Sequence, residues 1–133
     1  MDRLFLDANV LFSAAYQPNA GLLQLWKLRD VVLCSSRYAI EEARINLTEG
    51  AQRTRLSSLA DQIHLFEAAQ GDLQRSISLP EKDIPILMAA MHAEATHLLT
   101  GDITHFGPYF GKRIAGITVL LPGEYLRMMH RER

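Results

Sequence analysis

Four acidic side chains stand out because each one follows a predicted strand or lies in the first turns of a predicted helix. Asp7 and Asp102 come directly after short apolar runs that suit buried strands, and Asp83 opens a predicted helix. A helix that begins after Ser35 and Ser36 brings Glu42, together with its neighbour Glu41, to a similar level. In open α/β sheets the functional site lies outside the carboxyl ends of the strands. The sequence therefore predicts that these carboxylates meet at one edge of a sheet.

Each carboxylate also has an ordinary structural interpretation. Asp7 and Asp83 suit helix N-caps, Asp102 suits a turn after Gly101, and Glu42 suits a solvated helix surface. Taken together, converging carboxylates repel each other unless a cation neutralises them, and hard oxygen ligands favour Mg²⁺ or Mn²⁺. The set therefore predicts a metal centre at this edge of the sheet.

Composition limits the classes of protein that the chain can represent. Its 133 residues, 48% of them hydrophobic, predict one domain over residues 1–133, and the net charge of -1 gives no global signature of a nucleic-acid binder. Cys34 is the single cysteine, which excludes an internal disulfide and a Cys-x-x-Cys pair and favours a reducing compartment. The start is too acidic for a signal peptide, and no apolar run is long enough to span a bilayer. We expect a soluble, cytoplasmic protein without a membrane partner.

The apolar pattern predicts alternating strands and helices. Short apolar runs predict strands at residues 4–6, 31–34, 97–100 and 117–121. Three- and four-residue spacing predicts helices at residues 10–16, 22–29, 36–47, 51–70 (one helix or two, ended by Gly71), 83–95 and 122–129, before a frayed tail at 130–133. Parallel neighbours need crossover helices that cover both faces of a sheet. The predicted fold class is therefore α/β, a three-layer α/β/α arrangement with a central, mostly parallel sheet.

Four ordered segments carry a family resemblance. They are LDANVL at Leu6–Leu11, EARINL at Glu42–Leu47, the helix opened by Asp83, and LTGD at Leu99–Asp102. In order and spacing they resemble the PIN domain family. The resemblance covers nearly the whole chain and is weakest between about residues 50 and 80.

The resemblance implies a fold and an activity. Members of this family are typically Mg²⁺- or Mn²⁺-dependent nucleases that act mostly on RNA, and they include toxins of the type called VapC that a partner antitoxin silences. It implies an endoribonuclease in which a metal-activated water attacks the phosphodiester, with RNA as substrate and an antitoxin protein as a candidate partner. A homodimer is implied as well, and it agrees with the base rate for symmetric oligomers.

Residue by residue, the resemblance assigns the family's acidic quartet to the four carboxylates described above. Asn9 and Thr100 match polar positions that support the quartet. His105 falls where many relatives place a further polar or acidic residue, which implies contact with a phosphate or a metal-bound water, although a lone histidine also suits a structural role. Helical spacing alone does not choose between Glu41 and Glu42.

Scattered basic residues offer a further, weaker indication of phosphate contact. Such residues usually mark a solvated surface. The candidates are Arg37, Arg44, Lys82, Lys112 and Arg113, with Arg127, Arg131 and Arg133 near the carboxyl terminus.

Three alternative functions remain open from the sequence. A strand that ends in Asp7 is shared with enzymes that form an aspartyl-phosphate, but their paired aspartates and late lysine are lacking. The same fold could hold RNA or a protein without catalysis, although the intact acidic set argues against a decayed site. The chain could also be a nuclease that acts on DNA, because nothing identifiable reads a 2′-hydroxyl.

Overall fold

The computed structural model describes residues 1–68 and 79–131. Its strands are β1 Asp2–Leu6, β2 Val31–Ser35, β3 His64–Leu65, β4 His97–Leu99, β5 Arg113–Ile114 and β6 Ile117–Leu120. Its α-helices are α1 Ala8–Tyr16, α2 Arg37–Asn46, α3 Gly50–Ala60, α4 Ile84–His92, α5 Ile103–Phe106 and α6 Pro122–Arg131. Short 3₁₀ helices span Gly21–Lys27, Glu81–Asp83 and Gly107–Tyr109.

The strands form one sheet in the order β3-β2-β1-β4-β6-β5. The pairs β3-β2, β2-β1, β1-β4 and β4-β6 are parallel, and only the short edge strand β5 runs antiparallel. Parallel strands joined through helices give right-handed crossovers. From β1 the chain first adds β2 and β3 on one side of the sheet. It then crosses to the other side of β1, where it adds β4 and β6. Because the two sets of connections run in opposite directions, their crossover helices cover both faces. The predicted three-layer, mostly parallel α/β fold is confirmed.

The strand order reverses on either side of β1, which creates a crevice at the carboxyl ends of β1 and β4. Two backbone hydrogen bonds continue the ladder just past these ends. The Asp7 N–H donates to the Leu99 carbonyl at 3.1 Å, and the Thr100 N–H donates to the Leu120 carbonyl at 3.1 Å. Asp7 and Thr100 therefore lie side by side at the mouth of the crevice.

The central strand is buried on both of its faces. Leu4, Phe5 and Leu6 are all fully inaccessible to solvent, and they belong to one continuous hydrophobic cluster with residues from every layer. Cys34 of β2 lies in the same cluster, where burial raises the pKa of its thiol. The cysteine is thus a packing residue with little thiolate character. No helix in the described part of the chain is long and apolar enough to cross a lipid bilayer.

The helical segment predicted at residues 51–70, as one helix or two, is shorter than expected. Helix α3 ends at Ala60, and a turn closed by hydrogen bonds to the carbonyls of Leu59 and Ala60 follows it. Ile63 is then buried, and the two-residue strand β3 pairs with β2. The apolar residues after the turn contact the sheet edge, so their spacing mimics a helix without forming one. The rest of that prediction, with Gly71 as its end, lies outside the described residues.

Four other elements differ from the sequence prediction. The segment Gly21–Lys27 is a 3₁₀ helix, whose tighter turns bury Leu25 and let the Trp26 indole donate to the Leu59 carbonyl at 3.1 Å. The antiparallel strand β5 and the short helix α5 were not predicted, because two to four residues carry too little periodicity. Helix α6 continues to Arg131, so the part of the tail from residue 130 that the structure describes is helical.

Candidate metal centre

A cleft of about 400 Å³ opens at the carboxyl end of the sheet. It brings together the four carboxylates singled out in the sequence, although they come from four separate segments. The lining residues are Asp7, Ala8, Asn9, Phe12, Glu42, Ala43, Asn46, Lys82, Asp83 and Asp102.

Asp7 is held rigidly at the base of the cleft. Its side chain is only 4% exposed. Oδ1 accepts a hydrogen bond from the Ala8 N–H at 2.7 Å, and Oδ2 accepts from the Thr100 hydroxyl at 2.7 Å and from the Asn9 amide at 3.3 Å. These donors fix the carboxylate in one orientation, as expected for a group that positions a ligand.

Asn9 and Thr100 also hold the loop that presents Asp102. Asn9 Oδ1 accepts from the Gly101 N–H at 2.7 Å, and Thr100 Oγ1 accepts from the Asp102 N–H at 3.1 Å. A Cβ on Gly101 would lie 3.3 Å from Asn9 Oδ1, so this close approach favours glycine. The two predicted supporting residues therefore connect Asp7 to Asp102 through side-chain and backbone hydrogen bonds.

Among the described residues, the ligand atoms of Asp83, Asp102 and His105 come together in one group, to which Asp7 and Glu42 of the predicted quartet do not belong. His105 Nδ1 lies 2.7 Å from Asp83 Oδ2 and 2.7 Å from Asp102 Oδ2. Neither contact has hydrogen-bond geometry, which leaves the buried atoms Asp83 Oδ2 and His105 Nδ1 without a hydrogen-bond partner. Each of the three residues offers one ligand atom, and these atoms lie within 4.8 Å of one another.

The adjacent glutamates of α2 face different surroundings. Glu41 pairs with Arg44 on the exposed side of the helix, where the Arg44 Nε donates to Glu41 Oε2 at 2.9 Å. Glu42 lines the cleft, because Ala39 and Ala43 turn their own face of the helix into the core. The helix phase therefore separates the two residues, and Glu42 is the one that lies with the other carboxylates.

Burial and mutual repulsion make the acidic cluster costly to ionise. Burial raises the pKa of Asp7 above its ordinary value, the hydrogen bonds from Thr100 and Ala8 lower it, and the nearby charges of Glu42 and Asp102 raise it again. Burial likewise raises the pKa of Asp83, against a lowering contribution from His105. Bringing a positive charge into the cleft would relieve this cost.

The residues fit a divalent cation on structural grounds. Asp83 Oδ2 is buried and lacks a hydrogen-bond donor, although buried carboxylate oxygens are normally satisfied. Oxygen donors of Asp7, Glu42 and Asp102 line the same cleft, and carboxylate oxygens are the preferred ligands of Mg²⁺ and Mn²⁺. The arrangement can therefore hold such an ion.

The cleft also contains residues that the sequence did not single out. Phe12 and Asn46 line it because they lie four residues after Ala8 and Glu42, on the same helix faces. The four-residue helical spacing could therefore have predicted that these two residues line the cleft. Lys82, one of the predicted basic candidates, lines the cleft as well, and its carbonyl accepts a hydrogen bond from the Tyr38 hydroxyl at 2.9 Å.

Other predicted basic residues lie elsewhere or are already paired. Arg44 is engaged by Glu41, and the Arg37 Nε lies 3.7 Å from a Glu67 carboxylate oxygen. Lys112 is not among the residues that line the cleft. Of the arginines and lysines in the described part of the chain, Lys82 is the one that lines it.

The raised pKa of Asp7 predicts how stability depends on pH in metal-free protein. An unfolded Asp7 ionises near pH 4, whereas the folded carboxyl holds its proton to higher pH. As the pH rises, Asp7 therefore ionises in the unfolded chain before it ionises in the folded protein. Its contribution to stability falls as the pH rises from about 4 through the folded pKa. Urea unfolding in EDTA should show Asp7→Asn gaining stability relative to the wild type over that range. A constant difference, or one of opposite sign, would argue against the buried, repelled carboxyl.

Comparisons with known proteins identify the family and agree with the fold. The family model for the PIN domain matches residues 3–104. The chain belongs to the PIN domain family. The crystal structure of FitAcB from Neisseria gonorrhoeae is similar to this PIN domain with a TM-score of 0.52 and 19% sequence identity, over 90% of this chain and 98% of that one. This likeness supports the fold. No curated protein sequence matches the chain significantly.

Proposed function

We propose that this PIN domain is a Mg²⁺- or Mn²⁺-dependent endoribonuclease that cleaves RNA phosphodiester bonds. Members of the family are generally nucleases, and membership supports a nuclease role for this chain. The observation that carries the proposal is the convergence of Asp7, Glu42, Asp83 and Asp102 on one cleft, with a buried oxygen of Asp83 left without a hydrogen bond.

When bound, a divalent cation supplies a Lewis acid that lowers the pKa of water and neutralises charge on the phosphate. The chain's own residues provide position and charge. Asp7, fixed by Thr100 and Asn9, presents a rigid oxygen at the base of the cleft. Lys82 at the rim offers a positive charge for the phosphate backbone.

The preference for RNA, the toxin role and the homodimer rest on the resemblance to VapC-type members. We propose these features together with the activity, and each has its own test: a cleavage assay, co-purification with the product of a neighbouring gene, and sedimentation.

The aspartyl-phosphate alternative is disfavoured by the surroundings of Asp7. Both carboxylate oxygens accept hydrogen bonds, and the side chain is only 4% exposed. A nucleophilic carboxylate must approach the phosphorus, whereas this one is held by its neighbours. The binding-module alternative keeps the cleft but predicts no cleavage, and the DNA-nuclease alternative differs only in substrate.

A paired assay tests the proposal against both remaining alternatives. Purified protein is incubated with unstructured RNA and with DNA of the same sequence, in Mg²⁺, in Mn²⁺ and in EDTA. Cleavage of RNA that requires the cation is the expected result. Cation-dependent cleavage of DNA alone would establish the DNA nuclease, and binding without cleavage of either strand would support the binding module.

Substituting the two adjacent glutamates tests which one serves the site. Glu42→Gln should lower the cleavage rate about a hundredfold or more, because a ligand charge inside the cleft is lost. Glu41→Gln should retain nearly full activity, because Glu41 pairs with Arg44 at the exposed surface. Single-turnover rates with one RNA measure both variants. Equal losses in the two variants, or a loss confined to Glu41→Gln, would contradict the assignment.

Thr100 offers a prediction about the support beneath the carboxylates. Thr100→Val removes the hydroxyl that donates to Asp7 and accepts from the Asp102 N–H. We expect a loss of about 1–3 kcal/mol in unfolding free energy and about 10- to 100-fold in cation affinity. Thr100→Ser keeps the hydroxyl and should stay close to the wild type on both measures. Wild-type cation affinity in Thr100→Val would show that the hydroxyl does not position the site.

A further inference from the structure

We propose that His105 is itself a ligand of the cation, binding through Nδ1 beside Asp83 and Asp102, and that this nitrogen donor gives the centre a preference for Mn²⁺ over Mg²⁺. The inference rests on the proposed function, because it refines the metal requirement of the same cleft. It departs from an all-carboxylate site, in which oxygen donors alone hold the ion.

The fold places the imidazole between two carboxylates. Asp102 caps helix α5, where its Oδ1 accepts from the His105 N–H at 3.1 Å. This bond turns Asp102 Oδ2 toward the imidazole, at 2.7 Å from Nδ1. Asp83, from the turn before α4, brings its Oδ2 to the same distance from the other side. Elements separated in sequence therefore aim three ligand atoms at one point.

The contacts of Nδ1 favour a shared cation over a shared proton. A proton on Nδ1 could serve only one of the two carboxylate oxygens, and neither oxygen lies in the direction of a hydrogen bond. The Asp83 side chain is only 9% exposed, so water has little access to its Oδ2. A cation can coordinate ligand atoms from all three residues at once. It then leaves neither Asp83 Oδ2 nor His105 Nδ1 without a partner.

The chemistry of the donors sets the expected preference. Mg²⁺ requires hard oxygen ligands in near-octahedral geometry and gives up water reluctantly. Mg²⁺ takes almost only oxygen ligands, whereas imidazole nitrogen is a ligand of the first-row transition metals, of which Mn²⁺ binds least tightly. Two carboxylate oxygens and one imidazole nitrogen from these three residues therefore select Mn²⁺ within the pair of ions that the proposed function allows.

Pulsed electron paramagnetic resonance of Mn²⁺ bound to the full chain tests the ligand directly. In the wild type we expect ¹⁴N modulation from a coordinated imidazole, changed when the histidines alone are labelled with ¹⁵N. His105→Asn should abolish this signal and weaken Mn²⁺ binding about tenfold or more. Mg²⁺ affinity, measured by competition against Mn²⁺, should change much less. His64→Asn is the matched control, since His64 is exposed on β3 and does not belong to the group formed by Asp83, Asp102 and His105.

A second variant tests the selectivity. His105→Asp supplies an oxygen donor and should move the ratio of Mn²⁺ to Mg²⁺ affinity toward Mg²⁺. Absence of ¹⁴N modulation in the wild type would overturn the proposal, even if a variant failed to fold, and so would an unchanged affinity ratio in folded His105→Asp. These outcomes are distinguishable from those of the proposed function. Nitrogen coordination without RNA cleavage would contradict the proposed ribonuclease activity. RNA cleavage without nitrogen coordination would contradict His105 as a ligand.

Discussion

Replacing Asp7 with Asn should give a folded protein whose rate of RNA cleavage is lower by about 10²–10³-fold or more. The substitution removes one negative charge at the base of the cleft and changes the shape of the side chain little. In metal-free protein it also removes repulsion from Glu42 and Asp102, which contributes to the raised pKa of Asp7. We expect the free energy of unfolding to stay within about 1 kcal/mol of the wild type, because the lost repulsion offsets weaker hydrogen bonds.

Single-turnover cleavage and urea unfolding, measured on the same preparation, test this expectation. Asp61→Asn is a suitable control, because Asp61 is exposed at the end of α3 and away from the cleft. Full activity in Asp7→Asn would exclude Asp7 from the chemistry. An unfolded Asp7→Asn protein would show that the carboxylate is needed mainly for structure, through its bonds to Thr100 and Ala8.

A divalent cation should stabilise the wild-type protein strongly. An ion that binds only the folded state adds about 2.7 kcal/mol when its concentration is 100 times the dissociation constant. For a chain of 133 residues this corresponds to a rise in melting temperature on the order of 10 °C. The physical cause is the relief of repulsion among carboxylates, two of which have raised pKa values in the metal-free fold.

Differential scanning fluorimetry in EDTA, Mg²⁺ and Mn²⁺ measures this stabilisation. Potassium chloride at matched ionic strength controls for screening of the acidic cluster. Asp102→Asn should lose most of the shift, because Asp102 presents one oxygen toward Asp83 and His105. A melting temperature that responds equally to potassium chloride and to the divalent ions would contradict a specific centre.

The position of the aspartates could be predicted because sequence and topology constrain them together. Asp7 and Asp102 directly follow buried parallel strands, whose carboxyl ends meet at one edge of the sheet. Asp83 precedes the apolar helix α4, in which residues 86–90 are all buried. In each case the local pattern predicts where a strand or helix begins or ends. The parallel sheet then brings these ends to the same edge.

The details that depend on tertiary contacts could not be predicted. Glu41 and Glu42 differ only in helix phase, which is set by how Ala39 and Ala43 pack. The approach of His105 Nδ1 to Asp83 brings helix α5 against the 3₁₀ helix before α4, and no local spacing encodes this contact. Strand β3 has two residues, too few for a detectable alternation.

Anomalous diffraction from crystals soaked in Mn²⁺ tests the metal centre most directly, with data collected at the manganese edge and matched crystals of Asp102→Asn beside them. We expect a strong anomalous peak in the cleft, within ligand distance of Asp83, Asp102 and His105, and its loss in the variant. Mn²⁺ bound only outside the cleft, or a cleft without a peak at saturating Mn²⁺, would contradict this expectation.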